Sequence, residues 1–343
     1  MTIASVATFG LLAVMMFVPA PYAVQAAGPT LDTLSEQDDV DLISVDDART
    51  YPTSGQLLLT TVTTMGGPGH PVYVGRVIAG WLSSSVRVVP VETVFDPEQT
   101  QEDIDRASAA QMVSSQEMAI VAALTQLGYE VPAVLTISGA HQDGGADAVA
   151  QDGDVITGIE VAGEQTEIAT YDQLAQALAA TPAGTTVTLH VLRAGEPTGL
   201  EIVTGDDGAG GSVLGVWLDA EFEYPVDVRI QIDNVGGPSA GVMFALGIVD
   251  LMTPGQMTGG ATIAGTGTIS IGGAVGPIGG VAQKLAGART AGAEYFLVPG
   301  ANCDGLDGNI PADIQVIAVN TLEEAVAAVE AIGVGQAQDL PGC

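Results

Sequence analysis

Apolar and polar positions alternate along two regions of the chain, and three- and four-residue spacings mark helices between them. Leu57 to Val62 and Val72 to Trp81 are rich in β-branched and apolar residues and predict strands. Ser108 to Leu127 sets Met112, Met118, Ile120, Ala123 and Leu124 on one stripe, which predicts a helix opened by a Ser108-x-x-Gln111 capping box. Its methionines read as core filling. Ala133 to Ile137 and Val155 to Val161 predict strands, and Thr170-x-x-Gln173 opens a helix through Leu174, Ala177 and Leu178 that Pro182 and Gly184 stop. Val187, Leu189 and Val191 then alternate with Thr188 and His190 in another strand. Val226, Val228, Ile230 and Ile232 alternate with Asp227, Arg229, Gln231 and Asp233, the pattern of a half-buried strand. The next helix, from about Ala240 to Met252, is apolar almost all round, which predicts burial. Gly272-Gly273 predicts a hairpin between Thr262 to Ile271 and Ala274 to Pro277, and a helix follows from about Gly280 to Ala291. The fold class is therefore mixed α/β (α+β) and multidomain.

From Ile3 to Val18 the chain is uncharged and mostly apolar, no charged side chain precedes Asp32, and Pro19 and Pro21 end the run. A single-pass membrane anchor is expected here, with the remaining chain outside the cytoplasm. A cleavable signal peptide, cut near Val24-Gln25-Ala26, and a buried core helix are the alternatives. Cleavage would make the protein secreted.

A length of 343 residues favours two folded domains over one, and an apolar content of 47% allows large cores. The net charge of −33 argues against nucleic acid and against an anionic membrane surface as partners. Three histidines, His70, His141 and His190, leave little for a histidine metal site. Cys303 and Cys343, the only cysteines, form no C-x-x-C. They either pair in an oxidising compartment or stand as free thiols. No cofactor is expected.

From 128 to 205 the order is strand, Asp152-Gly153-Asp154 turn, strand, helix and strand, with Arg193-Ala194-Gly195-Glu196 turning out of the last. Gly153-Asp154-Val155-Ile156 and Val187 to Gly195 resemble the C-terminal two-thirds of a bacterial PDZ domain. The resemblance implies binding of an extended peptide as an added strand. A structural module without ligand is the alternative, with His190 an ordinary strand histidine. Asp206 to Gly211 reads as a linker.

Lys284 is the single lysine of the chain. Arginine could supply its charge but could not release a proton, whereas a buried lysine can, so Lys284 is a candidate base. Ser239 follows a strand and the Gly236-Gly237-Pro238 turn and starts a helix, where free backbone N–H groups can hold an oxyanion. N-capping is the plainer role for a serine there. Gly237-Pro238-Ser239-Ala240-Gly241 also matches the Gly-x-Ser-x-Gly elbow of α/β-hydrolases, but no histidine follows His190, so that reading fails. Nor does Lys284 fit a P-loop. The hairpin could carry Thr266 towards the amine.

Gly236-Gly237-Pro238-Ser239-Ala240-Gly241, Met257-Thr258-Gly259-Gly260, Ile263-Ala264-Gly265-Thr266-Gly267 and Val275-Gly276-Pro277-Ile278-Gly279-Gly280, three residues before Lys284, resemble the proteolytic domain of Lon-type serine proteases. Ala291-Gly292-Ala293, the strand Tyr295 to Val298, Pro299, Asn302, Ile310-Pro311 and Thr321-Leu322-Glu323-Glu324-Ala325 follow in the family's order. The resemblance covers about 205 to 332. With the other segments, the chain is similar to PDZ-containing, membrane-anchored Lon-like proteases without an ATPase. It implies Ser239 as nucleophile, Lys284 as general base and Thr266 as support for the lysine. ATP-dependent relatives carry an acidic residue three positions before the serine, where this chain has Gly236. The backbone N–H groups of Ser239 and Ala240 are the expected oxyanion site.

The expected organisation is thus an anchor or signal segment at 1–28 and an extracytoplasmic segment at 29–127. A PDZ-like domain at 128–205, a Lon-type proteolytic domain at 206–335 and a tail at 336–343 complete it. The expected function is ATP-independent serine endopeptidase action on unfolded or accessible polypeptides, with the PDZ-like module selecting them. A ring of identical subunits is expected by analogy. The rival expectation is a catalytically inactive peptide-binding or scaffold protein at the membrane.

Overall fold

The computed structural model describes residues 14–343 except 38, 39, 84, 143, 207, 209, 210, 234 and 307–309. The chain divides into two compact units: residues 1–123 with 228–343, and an inserted unit of residues 124–227.

The first unit is built on a six-stranded sheet in the order Gln315–Val319, Tyr295–Pro299, Thr262–Gly265, Gln56–Met65, Tyr22–Asp32, Arg87–Pro90. The first four run parallel, and the last two pair antiparallel. Leu57, Leu58 and Leu59 are buried in succession, as expected of a strand covered on both faces. Thr60 fixes the centre by donating its hydroxyl to the Gly265 carbonyl at 3.0 Å, across 205 positions of sequence. Two helices carry the residues of interest. In the Gly241–Met252 helix every residue but the half-buried Leu251 is buried, so almost none of its surface is left for water. The Val281–Thr290 helix packs Val281, Leu285 and Ala288 against Leu58, Phe296 and Val316. Thr268–Ile269 and Val275–Gly276 form a hairpin turned at Gly273 with φ +78°, shorter than expected, because Thr262–Gly265 joins the parallel sheet and Thr266 lies between the two. Cys303 and Cys343 are joined by a disulfide.

The inserted unit is an antiparallel sheet in the order Glu196–Val203, Thr186–Arg193, Val155–Val161, Ala133–Ala140, Val216–Phe222, with Glu164–Glu167 paired to Val155–Val161. Leu135, Ile137, Ile159, Leu189 and Ile202 make its core with Leu174 of the Tyr171–Ala179 helix. That helix starts at the Thr170–Gln173 capping box. The buried Asp154 carboxylate takes two hydrogen bonds from Arg193, at 2.8 and 2.6 Å, which hold its pKa below the usual carboxylate value. The Asp-Gly-Asp turn is thereby tied to the turn out of Thr186–Arg193.

Several expectations change. Val72–Tyr73 is a short strand, and Val74–Trp81 is a helix that buries Val77 and Gly80, three residues apart. The helix of the methionine stripe begins at Gln101 and runs to Gln126, so Ser108 lies inside it. Its start is capped by Thr100 and Asp103, which bond each other's backbone N–H groups at 3.1 and 3.2 Å. The inserted unit extends to Asp227, beyond the expected boundary at 205, because Val216–Phe222 completes its sheet. The strand expected at Leu57 to Val62, in a separate segment at 29–127, belongs to the same sheet as the strands around residues 262–319. Residues 1–13 of the expected anchor lie outside the described residues, and no described helix is long and apolar enough to cross a membrane. Tyr22–Asp32 is a sheet strand with Ala23 and Val24 fully buried, and the expected cleavage motif Val24-Gln25-Ala26 lies within it.

Candidate active site

Ser239 sits on the loop between the Asp227–Ile230 strand and the Gly241–Met252 helix. It does not cap that helix. The N-cap residue is Ala240, with no side-chain capping bond, which leaves the Ser239 hydroxyl free for another partner. The Ser239 carbonyl accepts hydrogen bonds from the Gly267 N–H at 3.0 Å and the Thr266 hydroxyl at 2.9 Å, so the backbone at the serine is fixed from the neighbouring strand.

Lys284 occupies the first turn of the Val281–Thr290 helix and is 3% exposed. Gly280 precedes that helix with φ +71°, and a Cβ there would meet Val62 at 2.8 Å; only glycine fits both demands. From this turn the Lys284 Nζ reaches the Ser239 Oγ at 2.6 Å and the Thr266 Oγ1 at 2.8 Å. Burial pushes its pKa down from 10.5 to about 8. The three side chains meet across 45 positions of sequence; Ser239 and Lys284 line a pocket of about 250 Å3 with Thr60, Val62, Met112 and Val235, and Thr266 lies buried behind them.

The proton arrangement follows from these contacts. Thr266 donates to the Ser239 carbonyl, so it meets the amine as an acceptor. An N–H of a neutral Lys284 is then spent on Thr266, and its lone pair is free to face the serine hydroxyl. That is the arrangement a general base needs.

Sequence reasoning missed a second set of residues that hold the serine loop. Ser115, 3% exposed on the Gln101–Gln126 helix, donates its hydroxyl to the Pro238 carbonyl at 3.0 Å. The Gly237 N–H donates to the Ser108 carbonyl on the same helix, also at 3.0 Å. A Cβ at Gly236 would stand 2.7 Å from that of Ser108, so the loop lies too close to the helix for any side chain. At Gly236 the chain therefore packs bare backbone against a helix. Ser108 and Ser115 share a helical face, and that spacing was the one available signal.

Among the described residues, the N–H groups of Ser239 and Ala240 meet no backbone acceptor. Asn234, at the start of this stretch, lies outside the described residues. The histidines take no part. His190 lies on an inserted-unit strand, 3.6 Å from Glu160, and His141 stacks on Trp217. Among the described residues no group of three His, Cys, Asp or Glu side chains could hold a metal ion.

Residues 227–331 match the family model of the Lon protease (S16) C-terminal proteolytic domain. Lon protease 1 of Sorangium cellulosum is 38% identical over 119 residues, which are 33% of this chain and 14% of that protein. Lon protease 2 of Bacillus subtilis is 36% identical over 107 residues, 30% of this chain and 19% of its own length. The Lon protease of Haemophilus influenzae is 31% identical over 116 residues, 32% of this chain and 14% of its own length. The chain spans 14–19% of the length of these relatives. PDZ domains of SdrC-like proteins from Listeria innocua and Listeria monocytogenes, at 17% and 18% identity, each cover 25% of this chain, and 92% and 86% of their own lengths. Both have a TM-score of 0.22, at which the likeness carries no argument. Over the stretch that carries Ser239, Thr266 and Lys284, the chain is similar to the proteolytic domain of Lon proteases.

Proposed function

We propose that this protein is a serine endopeptidase that works without ATP, with Ser239 as nucleophile and Lys284 as general base. The observation that carries the reading is the 2.6 Å contact between the Ser239 hydroxyl and a buried amine whose pKa is lowered to about 8. In this mechanism the neutral amine takes the hydroxyl proton as Ser239 attacks a peptide carbonyl. The ammonium returns it to the leaving amine, and water hydrolyses the acyl-enzyme with the amine again as base. Thr266 holds the amine in register, and the N–H groups of Ser239 and Ala240 receive the oxyanion. Substrates are unfolded or flexible chains. The inserted unit selects or delivers them. The Cys303–Cys343 disulfide favours a place outside the cytoplasm.

The test is cleavage of casein by the purified full chain without nucleotide. Ser239→Ala and Lys284→Arg should each lower the rate at least about a thousandfold. The arginine variant is the sharper of the two, because it keeps the charge and cannot act as a base. Undiminished turnover in Lys284→Arg overturns the mechanism, and full function in Ser239→Ala turns the reading to a binding or scaffold protein.

A further inference from the structure

A larger cavity adjoins the pocket at Ser239. A groove of about 780 Å3 runs between one face of the Gln101–Gln126 helix and residues 230–233, 235 and 236. Met112, Val235 and Gly236 line both this groove and the pocket of Ser239 and Lys284, so the two spaces share their walls. A substrate chain that leaves the scissile bond on this side would pass these shared residues.

The walls say what kind of chain fits. Val113, 53% exposed, and the half-buried Ile232 offer apolar contact, while Ser108 and Gln116 offer uncharged hydrogen-bonding groups. Two carboxylates flank them, Asp105 on the helix and Asp233 on the opposite segment, and no lysine or arginine lines the groove. Asp105 accepts a hydrogen bond from Gln101 at 2.8 Å, and among the described residues neither carboxylate is in an ion pair. Asp105 precedes Met112 by two helical turns, about 10 Å along the axis. An extended chain covers that distance in about three residues.

Resting on the protease reading above, we infer that this groove seats the substrate on one side of the scissile bond. It selects chains with a basic side chain about three residues from that bond and turns away acidic ones. Asp105 and Asp233 are the residues that determine this selectivity. Val113 and Ile232 receive an apolar side chain between the basic residue and the cut.

The experiment uses internally quenched fluorescent peptides with one neutral cleavable core and Lys, Gln or Glu three or four residues from the bond, varied one side at a time. On one side kcat/KM should be about tenfold higher for Lys than for Glu. The double variant Asp105→Asn, Asp233→Asn should bring that ratio close to one. Glu323→Gln, an exposed acidic position outside the groove, should leave the ratio as it was. Equal rates for Lys and Glu on both sides, or a ratio that survives the double substitution, overturn the inference. If no peptide is cleaved, the protease reading fails instead. The groove is then judged by anisotropy, with the same peptides labelled and binding to the Ser239→Ala protein. A Lys-over-Glu preference in Kd that the double substitution removes supports it, and equal Kd values overturn it.

Discussion

Thr266 donates its hydroxyl proton to the carbonyl of Ser239 at 2.9 Å, and that single bond decides what it can offer Lys284. It faces the amine as an acceptor and steers the lysine's lone pair to the serine hydroxyl. Thr266→Val keeps the shape and removes both bonds. We expect kcat to fall about 10- to 100-fold, with a loss of about 1–3 kcal/mol in stability from the buried polar groups left unpaired. Thr266→Ser should recover most of the rate. A valine variant with wild-type kcat would show that the lysine needs no such guide.

Burial of Lys284 sets the pH dependence. With its pKa lowered from 10.5 to about 8, the base is protonated and idle in mild acid, so kcat/KM should climb with pH and level off above about 8. Stability should follow the same sign. Between about 8 and 10.5 the unfolded chain holds a proton that the folded protein has released, so folding strengthens as pH rises there. A flat rate profile from pH 6 to 9 would contradict the assignment.

Ser115 acts on the serine only through the Pro238 carbonyl, 3.0 Å from its hydroxyl. Ser115→Ala should lower kcat about tenfold while KM changes little, because the loop is loosened and the groove is left in place. The rate of labelling by a serine-directed phosphonate should drop in parallel. A change confined to thermal stability would make Ser115 a structural residue only.

Asp250 is buried at the end of the Gly241–Met252 helix, where one carboxylate oxygen accepts from the Met257 N–H at 3.1 Å and the other has no partner. Burial raises its pKa from 3.8 to about 6, against the opposing pull of the Met257 bond. The folded protein therefore holds this proton more tightly than the unfolded chain, and stability falls as pH rises from about 4 through 6. Asp250→Asn should abolish that slope and stabilise the protein at pH 7 by about 1–2 kcal/mol, read from urea unfolding. Equal slopes in both proteins would refute it.

Arg193→Ala leaves the Asp154 carboxylate, 1% exposed, without its ion-pair partner. Destabilisation is expected, read as faster amide exchange within residues 124–227. Unchanged exchange there would show that the pair is dispensable.

Legibility in the sequence tracked the range of the forces involved. Strands such as Val155–Val161 and the Thr170–Gln173 cap are local patterns and were readable in place. Ser239, Thr266 and Lys284 could be named because glycine-rich motifs surround each of them, although only folding brings them within bonding distance. Val72 to Trp81 misled because β-branched residues fit a strand by composition. The helix there forms because Gly80 can approach Val88, whose Cγ2 would lie 2.6 Å from any added Cβ. Ser115 was invisible because its partner lies 123 positions away. The capping box at Ser108 had the right spacing, but Thr100 and Asp103 start the helix earlier.

The interruption of one unit by another also orders events during synthesis. Residues 124–227 carry their own sheet and core, so they can fold while the ribosome is still at work. The Gln56–Met65 strand can pair with Tyr22–Asp32 early, but its other edge waits for Thr262–Gly265, and the amine arrives only with residue 284. On the protease reading, a chain still being made carries its serine before the amine that would activate it, so it cannot cut itself until residue 284 has emerged.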